Sequence, residues 1–244
     1  MKNKIKIVSL PRALSKLGYC SRKQALKLIA EGKVKVNLIV SRDPKQRIDL
    51  SKDKIEVDNK VIQPQNFVYI ALNKPRGLIT TTQDEKNRDT VYKCFDGFDL
   101  PYIFPVGRLD KASEGLLLFT NDTEWANQII DPENHIDKTY HVKINQKINN
   151  DLLNKISTGV KTKEGDVLTV KSIRILREGL KTSWLEIVLD EGKNRHIRRI
   201  FETLGIEVLR LVRVSIGNLK LGNLPKGKFR FLKGFEINNL LKKN

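Results

Sequence analysis

Along this chain the spacing of apolar residues shifts from helical to alternating within sixty residues and never settles into a regular βαβ repeat, which restricts the architecture more than any other feature. Leu10, Leu14 and Leu17 recur at helical spacing up to Gly18, and Ser21 stands as the N-cap of a second helix that carries Ala25, Leu28 and Ile29 to a stop at Gly32. The alternating stretches KVKVN (33–37) and DKIEVDNKVI (53–62) read as short strands. After the polar, proline-containing IQPQN (62–66), the pattern predicts strands near 68–72, 139–144, 167–175, 183–190 and 208–216, with helices near 123–131, 149–157 and 194–204. Strands and helices mixed in this order make the class α+β, with a small module over residues 1–62 and a larger domain over 63–244.

Charge narrows the range of partners. The net charge is +18, and its distribution is uneven. Residues 1–47 hold 13 Lys and Arg against Glu31 and Asp43, residues 192–230 hold 10 against Glu202 and Glu207, and residues 64–191 are nearly balanced. Two basic regions flanking a neutral body suit a nucleic-acid track, because phosphate contacts release counterions. No apolar run is long enough to span a membrane, and the N-terminus has no signal-peptide core, so a cytoplasmic protein is expected. Cys20 and Cys94 are far apart, and His135, His141 and His196 are isolated from them, so neither a disulfide framework nor a metal site is indicated. Phosphate-cradling glycine loops, dinucleotide fingerprints and nucleophile elbows are missing from the sequence.

One stretch stands out against this background. In PVGRLDKASEGLLLFTND (105–122), Asp110 lies two residues after Arg108 and shortly before the apolar strand Leu116-Leu117-Leu118-Phe119. An Asp with Ser113 close behind is commonly a cap or turn residue. An alternative is a partly desolvated carboxylate held ionised by nearby cations, the state that a nucleophile or base requires. Arg195, Arg198 and Arg199 fall at helical spacings of three and four, which places them on one face to meet a single partner together.

Two resemblances bear on these readings. RALSKLGYCSRKQALKLIAEGKVKVN (12–37) with VSRDPKQRIDLSKDKIEVDNKVI (40–62) resembles the RNA-binding module named after the fourth protein of the small ribosomal subunit. That resemblance implies an RNA-facing helical surface at Arg12, Lys16, Ser21, Arg22, Lys23 and Lys27, and it departs from the family where Asn37-Leu38 replaces the usual Asn-Gly turn. The stretch around Asp110 resembles the active-site signature of the pseudouridine synthases that modify ribosomal RNA. LNKPRGLITTTQD (72–84), KTYHV (138–142), EGKNRHIRRIFETLG (191–205) and RLVRVSIGNLKLGNLPKGKFR (210–230) extend the match over essentially the whole chain.

The second resemblance implies an isomerase that turns uridine into pseudouridine with no cofactor and no metal. It implies Asp110 as catalytic carboxylate, Arg198 as its partner, Tyr140 as the ring that packs on an extruded uracil, and Arg108, Arg195 and Arg199 as RNA contacts. Lys74-Pro75 resembles a motif whose role is structural. The later motifs look more like the large-subunit enzymes than the small-subunit one, so the expected partner is large-subunit ribosomal RNA or its precursor, bound by a monomer. The alternatives are a small-subunit enzyme and a non-catalytic assembly factor; an isolated carboxylate facing RNA argues against the latter.

Overall fold

The structure, a computed structural model, describes residues 7–82, 84, 86 and 88–241. The chain forms two compact units: one made of Met1–Val68 with Asp99–Phe104 and Thr120–Thr123, the other of the remaining segments through Asn244. No helix among the described residues is long and apolar enough to cross a membrane.

In the first unit the helical spacings produce Leu10–Lys16 and Arg22–Ala30. The first helix ends where Gly18 takes φ +74°, a conformation that costs glycine nothing. Ser21 caps the second through a reciprocal box: its hydroxyl accepts from the Gln24 N–H at 3.2 Å, while Gln24 Oε1 accepts from the Ser21 N–H at 2.9 Å. Leu10, Leu14, Ala25 and Ile29 point inward onto Val34, Ile48, Ile55 and Val57. A four-stranded antiparallel sheet, ordered Ile39–Val40, Val34–Val36, Ile55–Val57 and Lys60–Val61, completes the unit with the pair Ile7–Ser9 and Arg47–Asp49.

Asn37 and Leu38 both adopt positive φ, 50° and 72°, so the turn keeps the shape that Asn-Gly would give it. Asn37 is tied down by donating to Asp53 and accepting from the Lys54 N–H, both at 2.9 Å. Leu38, in contrast, is exposed and has only the left-handed strain to show for its side chain. Leu38→Gly is therefore expected to stabilise the protein by about 1 kcal/mol in denaturant unfolding, since a left-handed non-glycine residue costs roughly that much.

The second unit is built on a nine-stranded mixed sheet whose main path runs Ser172–Glu178, Ser183–Leu189, Lys138–Ile144, Val208–Ile216, Glu114–Thr120, Tyr69–Lys74 and Phe229–Phe231. The registered pairings are antiparallel except that between Val208–Ile216 and Glu114–Thr120. Every residue of Glu114–Thr120 is buried, as its apolar run requires of a central strand. Gly115 is obligatory here: its φ is +102°, and a Cβ would lie 2.2 Å from the Arg213 carbonyl oxygen. Helices Asn150–Thr158 and His196–Thr203 close the main core over Val142, Ile144, Leu185 and Ile187, the latter helix through Ile197, Ile200 and Phe201.

The segment expected as one strand over 167–175 is two. Val167–Leu168 pairs with Val160–Lys161 in a separate hairpin, and only Ser172–Glu178 joins the main sheet. The turn ending at Asp166 folds the hairpin back on itself, its Thr162 N–H donating to the Asp166 carbonyl at 2.8 Å.

Candidate active site

Asp110 lies on the loop joining Phe104–Val106 to the buried strand Glu114–Thr120. The loop is held at several points. The Ser113 N–H donates to the Asp110 carbonyl at 2.9 Å, closing a turn, and Leu109 is buried beneath it. The Thr80 hydroxyl donates to the Leu109 carbonyl at 2.8 Å, and the Gly77 N–H donates to that of Lys111, also at 2.8 Å.

Lys74 is the strongest of these ties. Its side chain is fully buried, and its ammonium donates to the carbonyls of Pro75 (3.1 Å), Asp110 (3.2 Å) and Ser113 (2.9 Å). Three N–H donors meet three carbonyl oxygens, which satisfies a buried cation without a direct carboxylate partner. Burial pushes its pKa down to about 8, with the Asp110 charge pulling the other way.

Arg198 reaches the same loop from the helix His196–Thr203. Its Nε stands 3.8 Å from Asp110 Oδ2, and Nη2 donates to the Ala112 carbonyl at 3.1 Å. Burial disfavours the Arg198 charge, and Asp110 is the leading influence in its favour. The Asp110 side chain is one-third exposed and lines a cavity that Arg198 does not line.

The three arginines of this segment do not share a partner. Arg198 goes to Asp110, Arg199 to Asp166 and Glu164, and Arg195 to Glu202. Arg198 and Arg199 are adjacent and so point about 100° apart around the helix, while Arg195, the N-cap in the left-handed region at φ 50°, reaches along the helix to Glu202. A left-handed arginine beside a cavity is local strain of the sort found at functional sites.

Asp110, Arg108, Arg195 and Tyr140 line one cavity of about 210 Å³. Tyr140 comes from the strand Lys138–Ile144 and packs at the edge of the main core. Arg108 is exposed at the cavity, whereas Arg198 is outside the lining and acts on it only through the loop. The same wall carries Lys138, Glu191, His196 and Arg213, which the sequence did not single out as site residues. His196 is almost completely buried; burial lowers its pKa and Glu191, at 3.5 Å, opposes the shift, so the ring is neutral near pH 7. Lys138 is pushed down by burial and by the neighbouring Arg213.

On the first unit, Arg12, Arg22, Lys23 and Lys27 are exposed on the two helices and Lys16 is half-buried. The Ser21 hydroxyl is occupied within the cap, bonding Gln24 Oε1 at 2.8 Å.

Similarity to known proteins follows the same division. Residues 8–55 match the S4 domain model, and residues 68–203 match the model described as RNA pseudouridylate synthase. An uncharacterized RNA pseudouridine synthase of Rickettsia typhi is 41% identical, with 96% of this chain and 93% of the relative covered. The ribosomal large subunit pseudouridine synthase B of Bacillus subtilis is 38% identical, with 95% and 94% covered. A crystal structure of a pseudouridylate synthase superposes with a TM-score of 0.66 at 27% identity, covering 96% of this chain and 99% of that one. A carboxylate loop braced from two sides, a tyrosine-walled cavity and these near full-length matches agree: the chain belongs to the RNA pseudouridine synthases, isomerases acting on RNA, and carries an N-terminal S4 domain.

Proposed function

We propose that this enzyme isomerises a uridine of large-subunit ribosomal RNA, with Asp110 as its catalytic carboxylate, Arg198 as its partner cation and Tyr140 as the ring on which the extruded uracil packs. The observation that carries the assignment is the Asp110–Arg198 contact at 3.8 Å on a loop opening into the cavity that Tyr140 lines. Pseudouridine formation breaks the bond between ribose C1′ and uracil N1, turns the base and joins C1′ to C5, with the C5 proton ending on N1. The reaction is redox-neutral and moves no group to a second molecule. A single ionised carboxylate, acting as nucleophile or base, suffices provided that the base has left its stack and is shielded from water.

A cavity of about 210 Å³ is smaller than the roughly 300–1,000 Å³ typical of drug-sized ligands and suits one planar base. Arg108 supplies a cation at the cavity, Arg195 and Arg199 are further RNA contacts once they exchange their carboxylates for phosphates, and the S4 domain carries its own cations for the RNA, the exposed Arg12, Arg22, Lys23 and Lys27 and the half-buried Lys16. Ser21 contributes by fixing the start of the helix that presents them. The choice of large-subunit RNA is supported by the B. subtilis relative, whose name states that target. Transcripts of the two ribosomal RNAs carrying tritium at uridine C5 test it. Release is expected from the large-subunit transcript; release confined to the small-subunit transcript would reassign the substrate.

A further inference from the structure

Arg213 is 5% exposed, on the strand Val208–Ile216, directly opposite Tyr140 in register. Its Nε donates to the Leu116 carbonyl at 2.7 Å, which fixes the plane of the guanidinium against the central buried strand. Nη2 is buried with no hydrogen-bond partner, and no ion pair among the described residues includes Arg213. Its charge acts on another cation, Lys138, two positions from Tyr140 on the facing strand. Both cations line the cavity that holds Asp110 and Tyr140.

A buried guanidinium beside a like charge, with donors to spare, is costly in the empty protein and becomes favourable only when an acceptor or anion enters. The reaction provides one. When the C1′–N1 bond breaks, its electron pair goes to N1, and the departing base carries negative charge spread from N1 onto O2 and O4. The base stays anionic until C5 joins C1′, and the C5 proton then passes to N1, so atoms and charge balance. A backbone phosphate is the other anion at hand. The exposed Arg108 is the side chain to meet it, whereas Arg213 is almost wholly buried.

Resting on the proposed function above, we propose that Arg213 is a further catalytic residue: its free N–H groups donate to a carbonyl oxygen of the uracil and stabilise the base while it is detached and anionic, with Lys138 adding to the field. Preorganised donors aimed at charge that develops only during the reaction act on the chemical step rather than on RNA affinity.

Full-length Arg213→Gln and Arg213→Lys, with wild type and Asp110→Asn alongside, test this. Single-turnover rates are measured at saturating large-subunit transcript containing either uridine or 5-fluorouridine, the second being followed by mass spectrometry of the rearranged nucleoside. Fluorine makes the base a better leaving group that needs less help. Arg213→Gln is expected to lose about 100- to 1,000-fold on uridine, the range for removing one such donor, and at least about tenfold less on 5-fluorouridine. Arg213→Lys should fall between Gln and wild type, with unchanged RNA affinity in both. Equal losses on the two substrates would make Arg213 structural, and a lower affinity with a shallower salt dependence would make it a phosphate contact; either overturns the proposal. If Arg213→Gln does not fold, the substrate ratio for Arg213→Lys decides. Wild-type activity retained by Asp110→Asn would instead break the underlying assignment and leave the Arg213 result to stand by itself.

Discussion

Asp110→Asn is expected to lower single-turnover pseudouridine formation by at least about a hundredfold while RNA affinity stays within a few-fold of wild type. Asn keeps the size of the side chain and removes the charge, so what is lost is the nucleophilic or proton-accepting contribution, which is typically about 10²- to 10⁴-fold. Binding should survive because the loop is held by its backbone. The Asp110 carbonyl, not its carboxylate, accepts from Lys74 and from the Ser113 N–H, and Thr80 anchors the preceding residue, the buried Leu109. Arg198 retains its bond to the Ala112 carbonyl in the variant. Tritium release from C5-labelled transcript, alongside a filter-binding isotherm, separates the two quantities.

Lys74→Met is expected to cost on the order of a hundredfold in turnover without touching the reacting atoms. It strips the donor from the carbonyls of Asp110 and Ser113, and a displacement of about 1 Å at a reacting group is enough for a loss of that size. Each buried carbonyl left unpaired also costs about 1–3 kcal/mol, offset in part by removing a desolvated charge, so denaturant unfolding should show a lower midpoint.

The same lysine gives a pH signature. Its folded pKa, about 8, lies below the unfolded lysine value. Between those two values the native state binds fewer protons than the unfolded chain, so stability should rise with pH through that window. Turnover should fall over the same interval, because a neutral amine has two N–H donors for three carbonyls. Stability and rate moving in opposite directions above pH 8, and neither doing so in Lys74→Met, would identify Lys74 as the titrating group.

Lys74 also shows where the sequence stops being informative. In LNKPRG a structural role for Lys74-Pro75 comes only through resemblance; nothing local reveals that the distant carbonyls of Asp110 and Ser113 converge on the buried Lys74. Arg213 is hidden for a related reason. In RLVRVSI, alternation sets Arg213 with Leu211 on one face and Val212 and Val214 with Arg210 on the other, so the pattern does not say which face is inward; Arg213 is buried while Val212 and Val214 are half-exposed. The register against Tyr140 on one side and Gly115 on the other settles the matter, and both are long-range. The division of Arg195, Arg198 and Arg199 likewise depends on carboxylates brought from distant segments, Asp110 to Arg198 and Glu164 and Asp166 to Arg199, with Glu202 of the same helix taking Arg195.

What could be read locally was local in cause. The two N-terminal helices follow from their leucine spacing and from Ser21, whose capping box is closed by Gln24 three residues on. The apolar run after Asp110 is a central strand because nothing polar interrupts it. Asp110 itself was legible as an acid out of keeping with its basic surroundings, and the loop geometry shows how such an acid is held beside Arg198 with part of its carboxylate open.

The most direct measurement is a map of pseudouridines across both ribosomal RNAs from cells lacking the gene, with plasmids supplying either wild type or Asp110→Asn. One large-subunit position should vanish in the deletion, return with wild type and stay absent with Asp110→Asn. An unchanged map, or a position restored equally by Asp110→Asn, would contradict the account.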